Sequence, residues 1–196
     1  MSDIGPASTA EHEFASLHDD ARSILEGWRP ADPRQENLRT EYLAFLDEHA
    51  NAMTRECRIG HLTASALVMN ASRTHVLLTL HPKVGRWLQL GGHCEAGDPT
   101  LREAAIREAV EEGGIADVRM SREPIQLDRH PVKCWGDVSE HLDVQYLGFV
   151  PDGSVPVISE ESDDLRWFAL DRLPEGMDDS MRSLVAAASH GYTNGR

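Results

Sequence analysis

Apolar positions along the chain change their period between its first quarter and the remainder. Residues 10 to 27 and 34 to 53 carry them at helical spacing, with Phe14, Leu17, Ala21 and Leu25 on the first stretch and Leu38, Tyr42, Phe45, Leu46 and His49 on the second. The intervening RPADPR holds two prolines, which are expected to stop the first helix and leave a helical hairpin. From Leu62 the texture becomes that of strands: LTASALVM, HVLLTLH, a short WLQL, then EPIQLDRHPVK, HLDVQYLGFV and LRWFAL. A helix over the hundreds interrupts them, and an amphipathic stretch from Met181 to Ser189 closes the pattern. Strands around one central helix predict a mixed sheet sandwiched by helices, an α/β arrangement. The expected division is a helical extension over residues 1–58 and a main domain over residues 59–196. The apolar stripes of the hairpin need a partner, either the sheet or a second copy of the chain, so a homodimer is one expected assembly.

The central helix carries the residues that ask for chemistry. Asp98 is placed to cap it, Pro99 fits its first position, and Gly113-Gly114 supply a stop, which predicts about 13 helical residues. Leu101, Ala105, Ile106, Ala109 and Val110 form one apolar sector, and Glu108, Glu111 and Glu112 fall within roughly 100° of one another beside it. Carboxylates at that spacing repel, and a bound cation removes the penalty. Mg²⁺ or Mn²⁺ takes hard oxygen ligands, with water and phosphate completing the shell. Arg107 lies four residues from both Glu103 and Glu111 and can pin one carboxylate. The competing reading is a solvated acidic face, and the glycine-rich lead-in from Gly91 weakens it.

The segment Gly91 to Ile115, GGHCEAGDPTLREAAIREAVEEGGI, resembles the Nudix box of the Nudix hydrolase superfamily. Arg107, Glu108, Ala109, Glu111, Glu112, Gly114 and Ile115 match the second half at every specified position. Gly92 and Asp98 match the first half, with Asp in place of the usual Glu and eight residues instead of seven before Arg107. The strands on either side, GHLTASALVMN and ESDDLRWFALDRLP, also look like those of such domains. The resemblance implies a Nudix-like α/β/α sandwich over residues 59–196 and a pyrophosphohydrolase that uses Mg²⁺ or Mn²⁺ on a small-molecule diphosphate. It implies that Glu108, Glu111 and Glu112 hold metal, that Arg107 orients them, and that the general base is a box glutamate or a distant one. Of Glu140, Glu160 and Glu161, the last is chosen, in the acidic loop before a strand. Two alternatives carry different chemistry: an isopentenyl-diphosphate-type isomerase, for which Cys94 or Cys134 would serve, and a nucleotide-sensing domain that does not cleave.

Several residues outside the helix are candidates for substrate. Lys83 and Arg86, in HPKVGRW, suit phosphate oxygens, against a reading as turn solvation around Gly85. Gly91, Gly92 and His93 form the loop entering the box. His141 and Asp143 share one strand face and suit metal or substrate, against a reading as a polar outward face. His81 and His130 precede prolines and read as turn residues, and Trp87 and Trp167 as core.

Charge narrows the partners. The 19 basic and 33 acidic residues give −14, which works against capture of nucleic acid or an anionic membrane. Cys57, Cys94 and Cys134 form no CxxC pair, which fits a reducing cytoplasmic setting. No run reaches the ~18 apolar residues of a membrane span.

Overall fold

The computed structural model describes residues 13–134, 137–160 and 162–191. Helix α1 (Ala15–Gly27) and helix α2 (Pro33–Glu48) form the hairpin. Pro33 begins α2 rather than ending α1: Asp32 caps the helix by accepting from the Arg34 amide at 2.9 Å, and Pro33 has no amide to leave unpaired. The strands are β1 (Gly60–Asn70), β2 (His75–His81), β3 (Arg86–Leu88), β4 (Leu90–His93), β5 (Arg119–Met120), β6 (Gln126–Cys134), β7 (Asp137–Val150) and β8 (Asp164–Ala169). Helix α3 (Leu101–Gly113) follows β4, and α4 (Asp179–Gly191) follows β8.

All eight strands belong to one sheet with the path β3-β2-β1-β7-β5; β4 pairs with β1, β6 with β7 and β8 with β2. β1 and β7 run parallel from Gly60↔Glu140 to Asn70↔Val150, and the other pairs are antiparallel, which makes the sheet mixed. The expected single strand WLQL divides at Gln89, its first part pairing with β2 and its second with β1.

Strand alternation sends the side chains of β1 to two different places. Leu62, Ala64, Ala66 and Val68 enter a core shared with Leu17, Ala21 and Leu25 of α1, Tyr42, Phe45 and Leu46 of α2, and Leu101, Ala104, Ala105 and Ala109 of α3. Leu67 and Met69 enter a second core with Met181, Leu184, Val185 and Ala188 of α4. The fold is therefore an α/β/α sandwich, with the hairpin packed on the sheet beside α3. Polar clasps fix that packing. The Gln35 amide pairs with both backbone groups of Leu127 in β6, donating at 3.0 Å and accepting at 2.6 Å. The buried Tyr42 hydroxyl donates to the Asp128 carbonyl at 2.7 Å.

Helix α3 has the expected length of 13 residues but a different start. Thr100 is its N-cap and accepts from the Glu103 amide at 3.1 Å, while Asp20 of α1 accepts from the Leu101 amide at 2.8 Å. Asp98 is drawn away from the helix end by Arg107. At the other end Gly114 has φ +66°, and a Cβ there would lie 2.5 Å from the Val157 Cβ. The turn and the close packing of residue 157 both require glycine.

Candidate active site

Helix α3 lies against β4, and two glycines let it approach. A Cβ on Gly91 would sit 2.2 Å from the Ser65 Cβ, so β1 and β4 could not keep their spacing with any side chain there. A Cβ on Gly92 would sit 2.7–2.8 Å from the carboxylate of Glu108. The Gly91 amide donates to Glu112 Oε2 at 3.0 Å. Glu108 and Glu112, one helical turn apart, thus stand over consecutive glycines of β4.

Arg107 organises the rest. Its Nε and one terminal nitrogen donate to Asp98 Oδ1 and Oδ2 at 2.9 and 3.0 Å, a bidentate pair with a carboxylate that is only 7% exposed. Its other terminal nitrogen donates to Glu108 Oε1 and Glu111 Oε2, each at 3.0 Å, and the His93 carbonyl accepts at 2.9 Å. The hydrogen bond to Asp98 is the first cause that pushes the Arg107 pKa above its ordinary value. Asp98 also accepts from the Glu95 amide at 2.8 Å, so the residue one place out of register with the usual spacing closes the loop and anchors the arginine. Glu111, 58% exposed, is the outermost of the three glutamates and is held by Arg107.

A polar stripe runs along the sheet face opposite α3. Register places His61, Thr63 and Ser65 of β1 beside His141, Asp143 and Gln145 of β7, and those beside His130, Asp128 and Gln126 of β6. Asp143 is 3% exposed and accepts from Thr63 Oγ1 (2.9 Å), Ser65 Oγ (2.6 Å), Gln89 Nε2 (3.0 Å) and Gln145 Nε2 (3.0 Å). The face of β7 is not a polar outward one at Asp143, which is buried with four donors on its carboxylate, while His141 beside it is half-buried. His61, His93 and His141 pack ring to ring with centroids 4.9–5.0 Å apart. Burial is the first cause that lowers the pKa of each, to about 3 for His93 and His141. Arg55 reinforces the effect in all three, and Lys83 in His93.

His130 lies within β6 rather than in a turn, because Pro131 is accommodated in the strand. Its Nδ1 meets Asp128 Oδ2 at 2.7 Å, and that hydrogen bond raises its pKa. Burial raises the Asp128 pKa, but hydrogen bonds from His130 and Ser180 outweigh it and leave the group below its ordinary value.

The remaining candidates fall as follows. Lys83 sits in the turn closed by the Gly85 amide on the His81 carbonyl. Arg86 pairs with Asp178 at 3.3 Å. Cys94 is buried, and burial pushes its thiol well above the ordinary range. Glu161 lies outside the described residues, as does the Cys134 side chain. Sequence reasoning did not single out His61, although the alternation His61, Thr63, Ser65 between apolar neighbours repeats that of His141, Asp143, Gln145 and marks one continuous polar face.

Solved structures share this fold. A Nudix-family hydrolase from Clostridium perfringens is 26% identical, with a TM-score of 0.53 over 66% of this chain and 94% of its own. A MutT Nudix hydrolase from Burkholderia pseudomallei is 23% identical, with a TM-score of 0.51 over 65% and 97%. The Nudix domain of NrtR from Shewanella oneidensis, solved with ADP ribose, is 18% identical, with a TM-score of 0.52 over 76% and 96%. No curated protein sequence matches the chain. The family model for the NUDIX domain matches residues 60–188, from the first residue of β1 into α4 and including every box residue described above, and the chain belongs to the Nudix superfamily.

Proposed function

We propose that this Nudix protein hydrolyses a diphosphate bond in a nucleoside diphosphate-linked or related small molecule, with Mg²⁺ or Mn²⁺ as cofactor. Nudix hydrolases act on nucleoside diphosphate derivatives, and the observation that carries the reading here is the placement of the Glu108 and Glu112 carboxylates over Gly91 and Gly92. The donor set fits a hard divalent cation. It offers carboxylate oxygens, and the space beside Glu108 exists because residue 92 lacks a Cβ. Glu108, Glu111 and Glu112 would hold the ion, which when bound neutralises phosphate charge and lowers the pKa of a coordinated water.

The chain's own residues supply orientation. Arg107 fixes the Glu108 and Glu111 carboxylates and is itself fixed by Asp98 and the His93 carbonyl, so the ligands are held before substrate arrives. Gly91 and Gly92 make room for Ser65 and for the Glu108 carboxylate against β4, and Lys83, Arg86 and the half-buried His93 and His141 are assigned to the substrate side. Asp143 belongs to this side as the residue that ties Thr63, Ser65, Gln89 and Gln145 into one wall. The proton of the attacking water goes to a box glutamate, Glu111 being the most exposed, or to Glu161. Residues 59–196 are assigned as the catalytic unit and residues 1–58 as an extension, whose helices α1 and α2 pack on one sheet face.

The isomerase reading is not favoured, since the thiol of Cys94 is buried and held protonated. The sensing reading is not favoured either, because all three helical glutamates and their arginine are in place. The test is phosphate release from a panel of nucleoside diphosphate derivatives, with pyrophosphatase and phosphatase added, comparing the wild type with Glu112→Gln. The expected result is release that requires Mg²⁺ or Mn²⁺ and falls at least ~10²-fold in the folded variant. Undiminished turnover in Glu112→Gln, or nucleotide binding with no release from any substrate, would overturn the proposal.

A further inference from the structure

Among the described residues, the group of three potential metal ligands drawn together is not the glutamates but His61, His93 and His141, each with a ligand atom within 4.8 Å of the others. We propose that these three imidazoles form a second metal centre, for a borderline transition ion such as Zn²⁺, distinct from the carboxylate ligands and, through His93 and His141, on the side that the hydrolase reading assigns to substrate.

Three observations support it. His61 is 1% exposed, and neither of its ring nitrogens meets a hydrogen-bond partner, although the Cys57 backbone acts on the ring. His93 Nε2 is likewise buried without a partner. Imidazoles kept in a fold for packing or for hydrogen bonding normally pair their nitrogens, because a lone pair removed from water and left unmatched costs stability. A metal ion satisfies such nitrogens together. Finally, three sequence-distant strands deliver the three rings to one point: His61 pairs with His141 in the β1–β7 register, and His93 faces Thr63 in the β1–β4 register.

The ligand chemistry selects the ion. Three neutral nitrogens suit Zn²⁺, Cu²⁺, Ni²⁺ or Fe²⁺ and disfavour Mg²⁺, which prefers oxygen. Around tetrahedral Zn²⁺, with Zn–N of about 2.0–2.1 Å, nitrogens stand roughly 3.4 Å apart, so the rings close by about an ångström and a half at most. Three protein ligands leave a fourth position for water or a ligand atom. His130, whose ring lies 5.5 Å from that of His141, is oriented by the Asp128 carboxylate beside the cluster. Asp143, saturated by four donors, stays out of the coordination shell. The centre also touches the first site, because the His93 carbonyl is an acceptor for Arg107.

The experiment uses the tag-free full chain, stripped with chelator and titrated with Co²⁺ as a spectroscopic probe and then with Zn²⁺, in excess Mg²⁺. The expected result is one Co²⁺ per chain with the intense visible bands of a four-coordinate nitrogen site, displaced by Zn²⁺. Glu112→Gln should keep these bands. His141→Gln and, where it folds, His61→Gln should weaken Co²⁺ binding about 100-fold or more. Absence of the bands at millimolar Co²⁺, their persistence in folded His141→Gln, or their loss in Glu112→Gln would each overturn the proposal. The last outcome would assign the ion to the carboxylates, and loss of phosphate release alone would leave the imidazole centre standing.

Discussion

Replacing Gly92 with alanine separates the stability of the fold from the function assigned to its box. The added Cβ would lie 2.7 Å from Glu108 Oε1 and 2.8 Å from Cδ and Oε2, whereas ordinary contact begins at 3.4 Å, so the carboxylate must retreat by about 0.7 Å. It is the end of a flexible side chain, so the fold should lose only the cost of an off-rotamer glutamate, about 0.5–1.5 kcal/mol. At this chain length that is a fall in Tm of roughly 1–6 °C. Catalysis should suffer far more, since a ligand misplaced by something near an ångström costs on the order of 10²-fold in rate. Phosphate release at saturating substrate, with a Mg²⁺ titration, reads the second effect, and thermal unfolding reads the first. Gly91→Ala is the contrasting case: its Cβ would meet the Ser65 Cα at 2.6 Å and the Ala64 carbonyl at 2.9 Å, backbone that cannot swing aside, and the variant should fail to accumulate as folded protein. A folded Gly92→Ala protein with turnover within twofold of the wild type would refute the assignment of Glu108 as a metal ligand.

Three other substitutions probe the supports of the site. Asp98→Asn removes the charge from the bidentate pair with Arg107 and should cost about 1.5–3 kcal/mol, together with a loss of kcat; an unchanged Tm would show that Glu108 and Glu111 hold the arginine without it. Gln35→Ala deletes both hydrogen bonds to the Leu127 backbone and should lower stability by about 1–2 kcal/mol in urea unfolding, while kcat stays unchanged. Tyr42→Phe leaves the Asp128 carbonyl without its hydroxyl donor inside the core, and a loss of about 1 kcal/mol with an unaltered m-value is expected.

The periodic parts of the chain were readable because each signal is local. The β2 sequence HVLLTLH is a short apolar run between bounding turns, and the apolar stripes of α1 and α2 repeat at helical spacing, so their existence and type followed from pattern alone. The glutamates of α3 were readable for the same reason, since a helix fixes their mutual angles. Asp98 was misread because its cap role and its ion-pair role differ only in three dimensions: Arg107, nine residues on, outcompetes the helix amides, and Thr100 takes the cap. The histidine cluster was hidden more deeply. His61, His93 and His141 come from strands whose adjacency depends on a parallel pairing and an antiparallel one, and no spacing along the chain encodes that. His130 was misjudged because Pro131 usually argues against a strand interior, whereas here it sits in the strand at its pairing with Glu140.

The parallel register of β1 with β7 sets a timetable for the chain. Each of its pairs, from Gly60↔Glu140 to Asn70↔Val150, joins residues eighty positions apart, so the central ladder is among the last contacts that a growing chain can make. At roughly 5–20 residues per second, synthesis needs about 4–16 s to pass from one strand to the other. Meanwhile β1 can pair with β2 and β4 and meet α3, but its other edge waits for β7, and the histidine face lacks His141. Refolding should therefore be slow relative to helical proteins of this size, with the long-range ladder as its late step. Cells making this protein must keep a half-built hydrophobic surface from finding the wrong partner until Val150 has emerged.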